Sequence, residues 1–268
     1  MYARCSSGQR GIMSIFKGLV GYVAMSAALA MPALAQSDDA ALRAAVASPG
    51  RSAAFVARDA ARHPTAELHF FGVTPTDRVI EIWPGSGYWT QILLPYLHDR
   101  GHYIAALPPT GKDKASFQAK FPTAATTLLG SGHYGIAPDA SVDAVLTFRN
   151  LHDWMKTDEA SRVLRGFFAA LKPGGILGIE DHRARTDAPQ DPHAVSGYVR
   201  QDYAIALARD AGFAFAGSSD IDANPKDTTH WPKGVWTLPP VFALGDKDRA
   251  RYAAVGEADN FVLLFRKP

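Results

Sequence analysis

From residue 78 to the C-terminus, short apolar runs with β-sheet composition alternate with stretches of helical spacing, and this alternation limits the chain to very few architectures. Strands are expected at Arg78–Trp83, His102–Leu107, Thr126–Leu129, Val142–Phe148, Gly175–Glu180, Phe213–Ser219 and Asn260–Arg266. Helices are expected between them at Tyr88–Leu97, Lys112–Phe121, Asp158–Leu171 and Tyr198–Ala211. The pattern predicts an α/β fold, a doubly wound and mainly parallel seven-stranded sheet with helices on both faces. Ligands of such sheets bind beyond the carboxyl ends of the strands. Upstream, Ala53–Arg62 has helical spacing and Pro64 stops it, while residues 36–51 read as a loose arm or short helix. Folding proper is expected from about Ser52, giving one domain over 52–268 with an insert at 221–259. That insert carries Trp231, Trp236 and Pro239-Pro240, and its length suggests a lid.

Charge narrows the partners. The chain of 268 residues has a net charge of +2, but Arg4, Arg10 and Lys17 lie in the first 35 residues, where no acid occurs. The remainder holds 25 basic against 26 acidic residues, which leaves no electrostatic footprint for nucleic acid or anionic lipid. The first 35 residues read as a signal peptide: Lys17, an apolar run from Leu19 to Leu34, and Ala33-Leu34-Ala35 before Gln36. Translation from Met13 would give a more usual signal length. The expectation is export to the periplasm or beyond, without stable membrane insertion after cleavage; the competing reading is an uncleaved anchor, against which the run is short of the ~20 residues of a span. The only cysteine, Cys5, precedes the cleavage site, so the mature chain has no disulfide or thiolate chemistry.

The first strand ends in Glu81-Ile82-Trp83-Pro84-Gly85-Ser86-Gly87 and opens a helix. Glycines there let a ligand approach the backbone at a helix N-terminus, or serve only the tight turn. The segment resembles the acid-x-Gly-x-Gly-x-Gly signature of class I S-adenosylmethionine-dependent methyltransferases, with Trp83 in place of the first glycine. The resemblance implies the Rossmann-like class I fold with its last strand antiparallel, S-adenosylmethionine as cofactor, and Glu81, Trp83, Gly85, Ser86, Gly87 and Asn150 as cofactor-binding residues. It also implies an acid at the end of the second strand for the ribose, where this chain has Leu107-Pro108-Pro109.

Arg149-Asn150-Leu151-His152-Asp153-Trp154 follows the fourth strand and Leu171-Lys172-Pro173-Gly174-Gly175 precedes the fifth. This order resembles small-molecule O-methyltransferases. The set Trp-Pro-Gly-x-Gly, Arg-Asn-x-His and Asp-His resembles a family of predicted exported bacterial methyltransferases over nearly all of 50–268. A hydroxyl attacks well only as its proton is removed, and histidine suits that task near neutral pH. His152 is therefore the candidate base; the resemblance implies Asp153 as the carboxylate that orients it, and His182 is a second polar contact or the base itself. Arg149, Tyr198, Trp231 and Trp236 are candidate contacts to a small hydroxylated or acidic substrate. Structural readings stand beside these: strand-end polar groups cap helices, and the tryptophans pack. Two other functions fit the residues, a non-catalytic exported binding protein on the same scaffold and, less well, a metal-assisted hydrolase using His152, Asp153, Asp181 and His182; no metal site is assigned.

Overall fold

The computed structural model describes residues 33–187 and 189–268. The expected signal peptide, as far as residue 32, and the alternative start at Met13 lie outside them. Within the described residues the elements run α1 (Ala33–Val46), α2 (Ala53–Val56), α3 (Asp59–Arg62), α4 (Pro64–Phe71), β1 (Arg78–Ile82), α5 (Thr90–Tyr96), β2 (His102–Leu107), α6 (Gly111–Lys120), β3 (Ala125–Leu128), β4 (Val142–Phe148), α7 (Leu151–Lys156), α8 (Ala160–Ala170), β5 (Leu171–His182), α9 (Gln201–Asp210), β6 (Ala214–Ser219), β7 (Pro232–Val235), α10 (Arg249–Val255) and β8 (Asn260–Arg266).

Seven strands form one sheet in the order β3-β2-β1-β4-β5-β8-β6. β1 through β5 are parallel, and β8 runs antiparallel to both β5 and β6, so both the sheet and its reversed last strand match expectation. The central strands are buried on both faces, as parallel strands between helical layers must be. Val79, Ile80 and Ile82 of β1 and Val142, Ala144, Val145 and Leu146 of β4 are all sealed from solvent. Alternation along each strand divides the core in two. Ile80, Val145, Leu177 and Ile179 pack with α8 through Val163, Leu164 and Phe167; Val79, Leu146 and Ile176 pack with Leu68 and Phe71 of α4 and with Ile92 and Leu93 of α5. The buried positions of α8 recur at helical spacing, which makes one face apolar. Among the described residues no helix is long and apolar enough to cross a membrane.

The structure departs from expectation in three places. Of the loose arm or short helix expected at 36–51, the helix forms, but it does not stand apart from the fold: α1 lies against α5 and buries Leu42 and Ala45 in the core, so packing begins before Ser52. Ala53–Arg62 forms two short helices, and Pro64 opens α4 rather than ending the local structure. A proline has no N–H to lose at a first helical position, and His63 turns into it with φ 37°. The third difference is α7, a helix of six residues too short to register as a periodic signal. The insert at 221–259 holds β7 and α10 and has its own small apolar cluster, formed by Tyr198, Val235, Leu238, Tyr252 and Ala258.

Since Leu42 is wholly buried, Leu42→Ala should cost about 2–5 kcal/mol, measured by denaturant unfolding. A cost near zero would restore the loose arm.

Candidate active site

β1 and β4 are neighbours in the sheet, and each ends in a residue with left-handed backbone. Trp83 has φ 43° and Arg149 φ 64°, a conformation that costs a side-chain-bearing residue roughly 1–2 kcal/mol. Strain of this kind persists only where surroundings hold it. The indole of Trp83 donates to the Leu129 carbonyl at 3.1 Å and meets the edge of Trp154 at 5.5 Å between centroids. Position 83 therefore keeps the backbone that glycine tolerates while filling the space beside it with indole.

Two cavities open at these strand ends, one of about 280 Å³ and one of about 350 Å³. Trp83, Pro84, Gly85 and Asn150 line both, so the loop after β1 forms the wall between them. Gly85 has φ 57°, and a Cβ there would meet nothing within 4 Å; its open side faces the cavities. Gly87 behaves differently. A Cβ on it would strike the Phe121 ring at 2.5 Å, so Gly87 serves the packing of the turn, and it lines neither cavity. Ser86 and Glu81 line the first cavity. The Glu81 carboxylate accepts from Tyr103 at 2.6 Å and Thr90 at 2.8 Å, and burial pushes it up to about 7 against the pull of those bonds. Asn150 ties the two strand ends together by donating to the Ile82 carbonyl at 2.9 Å and Thr147 Oγ1 at 3.1 Å. In the second cavity the acid missing from the end of β2 has a neighbour that the sequence motif did not mark: Asp113, from the first turn of α6, lines it beside Leu107 and Pro108.

His152 stands in the first turn of α7, 3% exposed. Its Nδ1 lies 2.8 Å from Asp181 Oδ1, and its backbone N–H donates to Asp181 Oδ2 at 3.0 Å. The orienting carboxylate is thus Asp181 at the end of β5, not Asp153. Asp153 lies 3.6 Å from His152 Nε2 and pairs with Lys156 at 2.8 Å. Burial is the largest influence on His152 and works to lower its pKa, but the charge and hydrogen bond of Asp181, with Asp153, outweigh it and hold the ring above its ordinary value. His182, with its ring 5.3 Å from that of His152, is driven the other way: burial, with the charges of His152 and Arg149, lowers it to about 3 despite Asp181. It is neutral at ordinary pH. Its Nδ1 donates to Asn260 Oδ1 at 2.7 Å, which leaves the lone pair on Nε2.

Both histidines line the first cavity, together with Asp153 and, from the insert, Trp236. Trp236 stands edge-on to His152 at 5.8 Å and carries Lys156 Nζ over its face at 3.9 Å. Val235, Pro239, Pro240 and Val241 complete that wall, as a lid would. Three other expected substrate contacts are engaged elsewhere. Tyr198 hydroxyl and Trp231 Nε1 both bind the Asp227 carboxylate, at 2.9 and 2.7 Å, and neither residue lines the first cavity; they anchor the insert. Arg149 reaches the cavity, but its guanidinium donates to Glu257 at 2.8 Å, which also accepts from Arg58 and Arg62.

His152, Asp181 and His182 bring one ligand atom each within 4.8 Å of one another, close enough to hold a metal ion. Asp181 is already engaged by hydrogen bonds: Oδ1 accepts from the His182 backbone N–H at 2.7 Å besides its contact to His152, and Oδ2 accepts from the His152 N–H. The trio is built as a hydrogen-bonded dyad with a second imidazole alongside.

No protein-family model and no curated protein sequence matches the chain. Solved structures do match its fold. A SAM-dependent methyltransferase from Aquifex aeolicus is similar with a TM-score of 0.54 at 16% identity, over 79% of this chain and 93% of that one. The [4+2]-cyclase SpnF has a TM-score of 0.52 at 18% identity, over 87% and 94%. A putative sarcosine dimethylglycine methyltransferase from Galdieria sulphuraria has a TM-score of 0.52 at 16% identity, over 77% and 87%. The chain therefore has the class I methyltransferase fold, a scaffold that also carries a cyclase, so function must be argued from the site.

Proposed function

We propose that this protein transfers a methyl group from S-adenosylmethionine to a small hydroxylated molecule, with His152 as the base. The observation that carries the reading is a single cavity lined both by the glycine loop after β1 and by an imidazole held by a buried carboxylate. The residues fit the cofactor. Glu81 suits a cationic amino group, Gly85 and Ser86 offer an open loop, and Asn150, Trp83 and Asp113 border the adjoining cavity where a nucleoside would rest. When bound, the cofactor supplies a methyl group on a sulfonium sulfur.

The chain's own groups then align the acceptor and move its proton. With Nδ1 held by Asp181, His152 presents Nε2 to the cavity and accepts the hydroxyl proton as the oxygen gains the methyl group. Asp181 stabilises the resulting imidazolium and fixes the ring. Neutral His182 is a hydrogen-bonding wall, and Trp236 closes the apolar side over the acceptor. The engagement of Arg149, Arg58 and Arg62 by Glu257 favours a hydroxyl-bearing acceptor over an acidic one. Alignment of two reactants in one enclosed site is itself a large part of such catalysis.

The signal read behind Lys17 supports an exported, periplasmic or secreted protein. Trp83 at the usual glycine and the acid-free end of β2 favour one other reading, a binding protein for a different ligand on the same scaffold.

Calorimetric titration with S-adenosylmethionine and S-adenosylhomocysteine separates the two. One site per chain, weakened tenfold or more by Glu81→Gln, is expected; absence of binding to the wild type hands the cavity to another ligand. In a radiolabel screen of phenols and other small alcohols, His152→Ala should lower turnover by about 10²–10⁴-fold without changing S-adenosylhomocysteine affinity. Wild-type turnover should be full above the raised His152 pKa and fall as pH drops through it, because imidazolium accepts no proton.

A further inference from the structure

On the opposite face of β5 from Asp181, three carboxylates meet in the interior. Glu67 of α4 and Glu180 of β5 are fully buried, and Asp222, at the root of the insert, is 3% exposed. One oxygen from each lies within 4.8 Å of the others. Among the described residues, no donor from outside the cluster reaches five of the six oxygens: both of Glu67, both of Glu180 and Oδ2 of Asp222. The sixth, Asp222 Oδ1, is 2.8 Å from His63 Nδ1. Glu67 is the decisive member: among the described residues no N–H or hydroxyl donor reaches either of its oxygens, and its one hydrogen-bonding neighbour is the Asp222 carboxyl of the same cluster. The cation nearest Glu180 is Arg149, whose Nε stands 3.7 Å from Oε1 while its Nη1 is bonded to Glu257.

An ionised carboxylate without partners costs several kcal/mol to bury, and three together cost more through repulsion. Burial, then the charges of Glu180 and Asp222, push the Glu67 carboxyl well above its usual range. Burial pushes Glu180 to about 8, with Asp222 and Glu257 adding to it against Arg149. The arginines nearby, Arg58, Arg62 and Arg149, are gathered on Glu257, and within the cluster only Asp222 has a basic partner, His63. Protons held by Glu67 and Glu180 are the competing way to relieve this charge, and they would link the three carboxyls to one another. A cation takes an oxygen from each.

We infer that Glu67, Glu180 and Asp222 form a binding site for a hard divalent cation, Ca²⁺ by the all-carboxylate shell they offer. The donor set is all oxygen, which suits Ca²⁺, Mg²⁺ or Mn²⁺ over softer metals. Three carboxylates can supply six oxygens without water, within the six to eight that Ca²⁺ takes. Mg²⁺ holds its ligands closer and keeps several waters. Bound Ca²⁺ would fasten α4 and the root of the insert to β5, directly beneath the strand end that carries Asp181 and His182. This inference is independent of the function proposed for the cavity.

The test is calorimetric titration of chelator-stripped protein with CaCl₂, alongside thermal unfolding with and without Ca²⁺. One Ca²⁺ per chain is expected, with Tm raised by several degrees, since a ligand of the native state stabilises it. Glu67→Gln should weaken Ca²⁺ binding tenfold or more; if that variant does not fold, the wild-type titration decides. Absence of binding together with a Tm indifferent to chelator overturns the site in favour of protons held by the carboxyls. Tighter binding of Mg²⁺ than of Ca²⁺ overturns the assignment of the ion, and unchanged affinity in a folded Glu67→Gln overturns the ligand set.

Discussion

The contact between His152 and Asp181 organises the functional end of this molecule. One carboxylate receives both the ring and the backbone N–H of His152, so it fixes the side chain and the first turn of α7 together. The same carboxylate accepts from the backbone of His182, and thereby holds the end of β5 against α7. Two imidazoles a few ångströms apart would repel if both were charged. Burial and the shared Asp181 resolve this by raising one and lowering the other, the pattern expected where one ring exchanges protons and its neighbour stays neutral. Around the dyad, strained backbone at Trp83 and Arg149 bends the ends of β1 and β4 so that the glycine loop and the histidines share one cavity.

Beneath that surface lies an unusual amount of buried charge. Glu257 collects three guanidiniums, and one of them, Arg149, belongs to the segment that carries His152. The network extends through Glu180 to Glu67 and Asp222, joining α4, β4, β5 and the insert in the interior. Buried ionic groups are seldom the cheapest way to stabilise a core, but they fix geometry. Here they set the chain path on both sides of the cavity, and the insert that supplies Trp236 is anchored at one end by Asp222 and further along by Tyr198 and Trp231 on Asp227.

Much of the fold was legible in the sequence because a buried parallel strand is an apolar run between turn residues; His102–Leu107, Val142–Phe148 and Asn260–Arg266 coincide with β2, β4 and β8. Helices α4 and α7 were not, being too short for periodicity to show, with Pro64 reading as a stop where it is a start. The site was legible in its residue types and less so in its partnerships. Asp153 neighbours His152 in sequence, but the pairing of Phe148 with Glu180 brings Asp181, from the next strand, to the start of α7. Only strand register reveals this. Tyr198 and Trp231 looked like pocket aromatics, and a single carboxylate in the insert, Asp227, draws them away. Glu67, Asp222 and Glu257 carried no signal, because an acid on a helix or loop ordinarily faces solvent and nothing local marks these as interior.

The central claim is that Asp181 makes His152 a base within a cofactor cavity, and histidine NMR tests it most directly. In the wild type the His152 ring should titrate above the ordinary histidine value, Asp181→Asn should drop it below, and saturating S-adenosylhomocysteine should move the His152 signals but not those of the exposed His98. A His152 titration unaffected by Asp181→Asn, or resonances that ignore bound S-adenosylhomocysteine, would contradict the account.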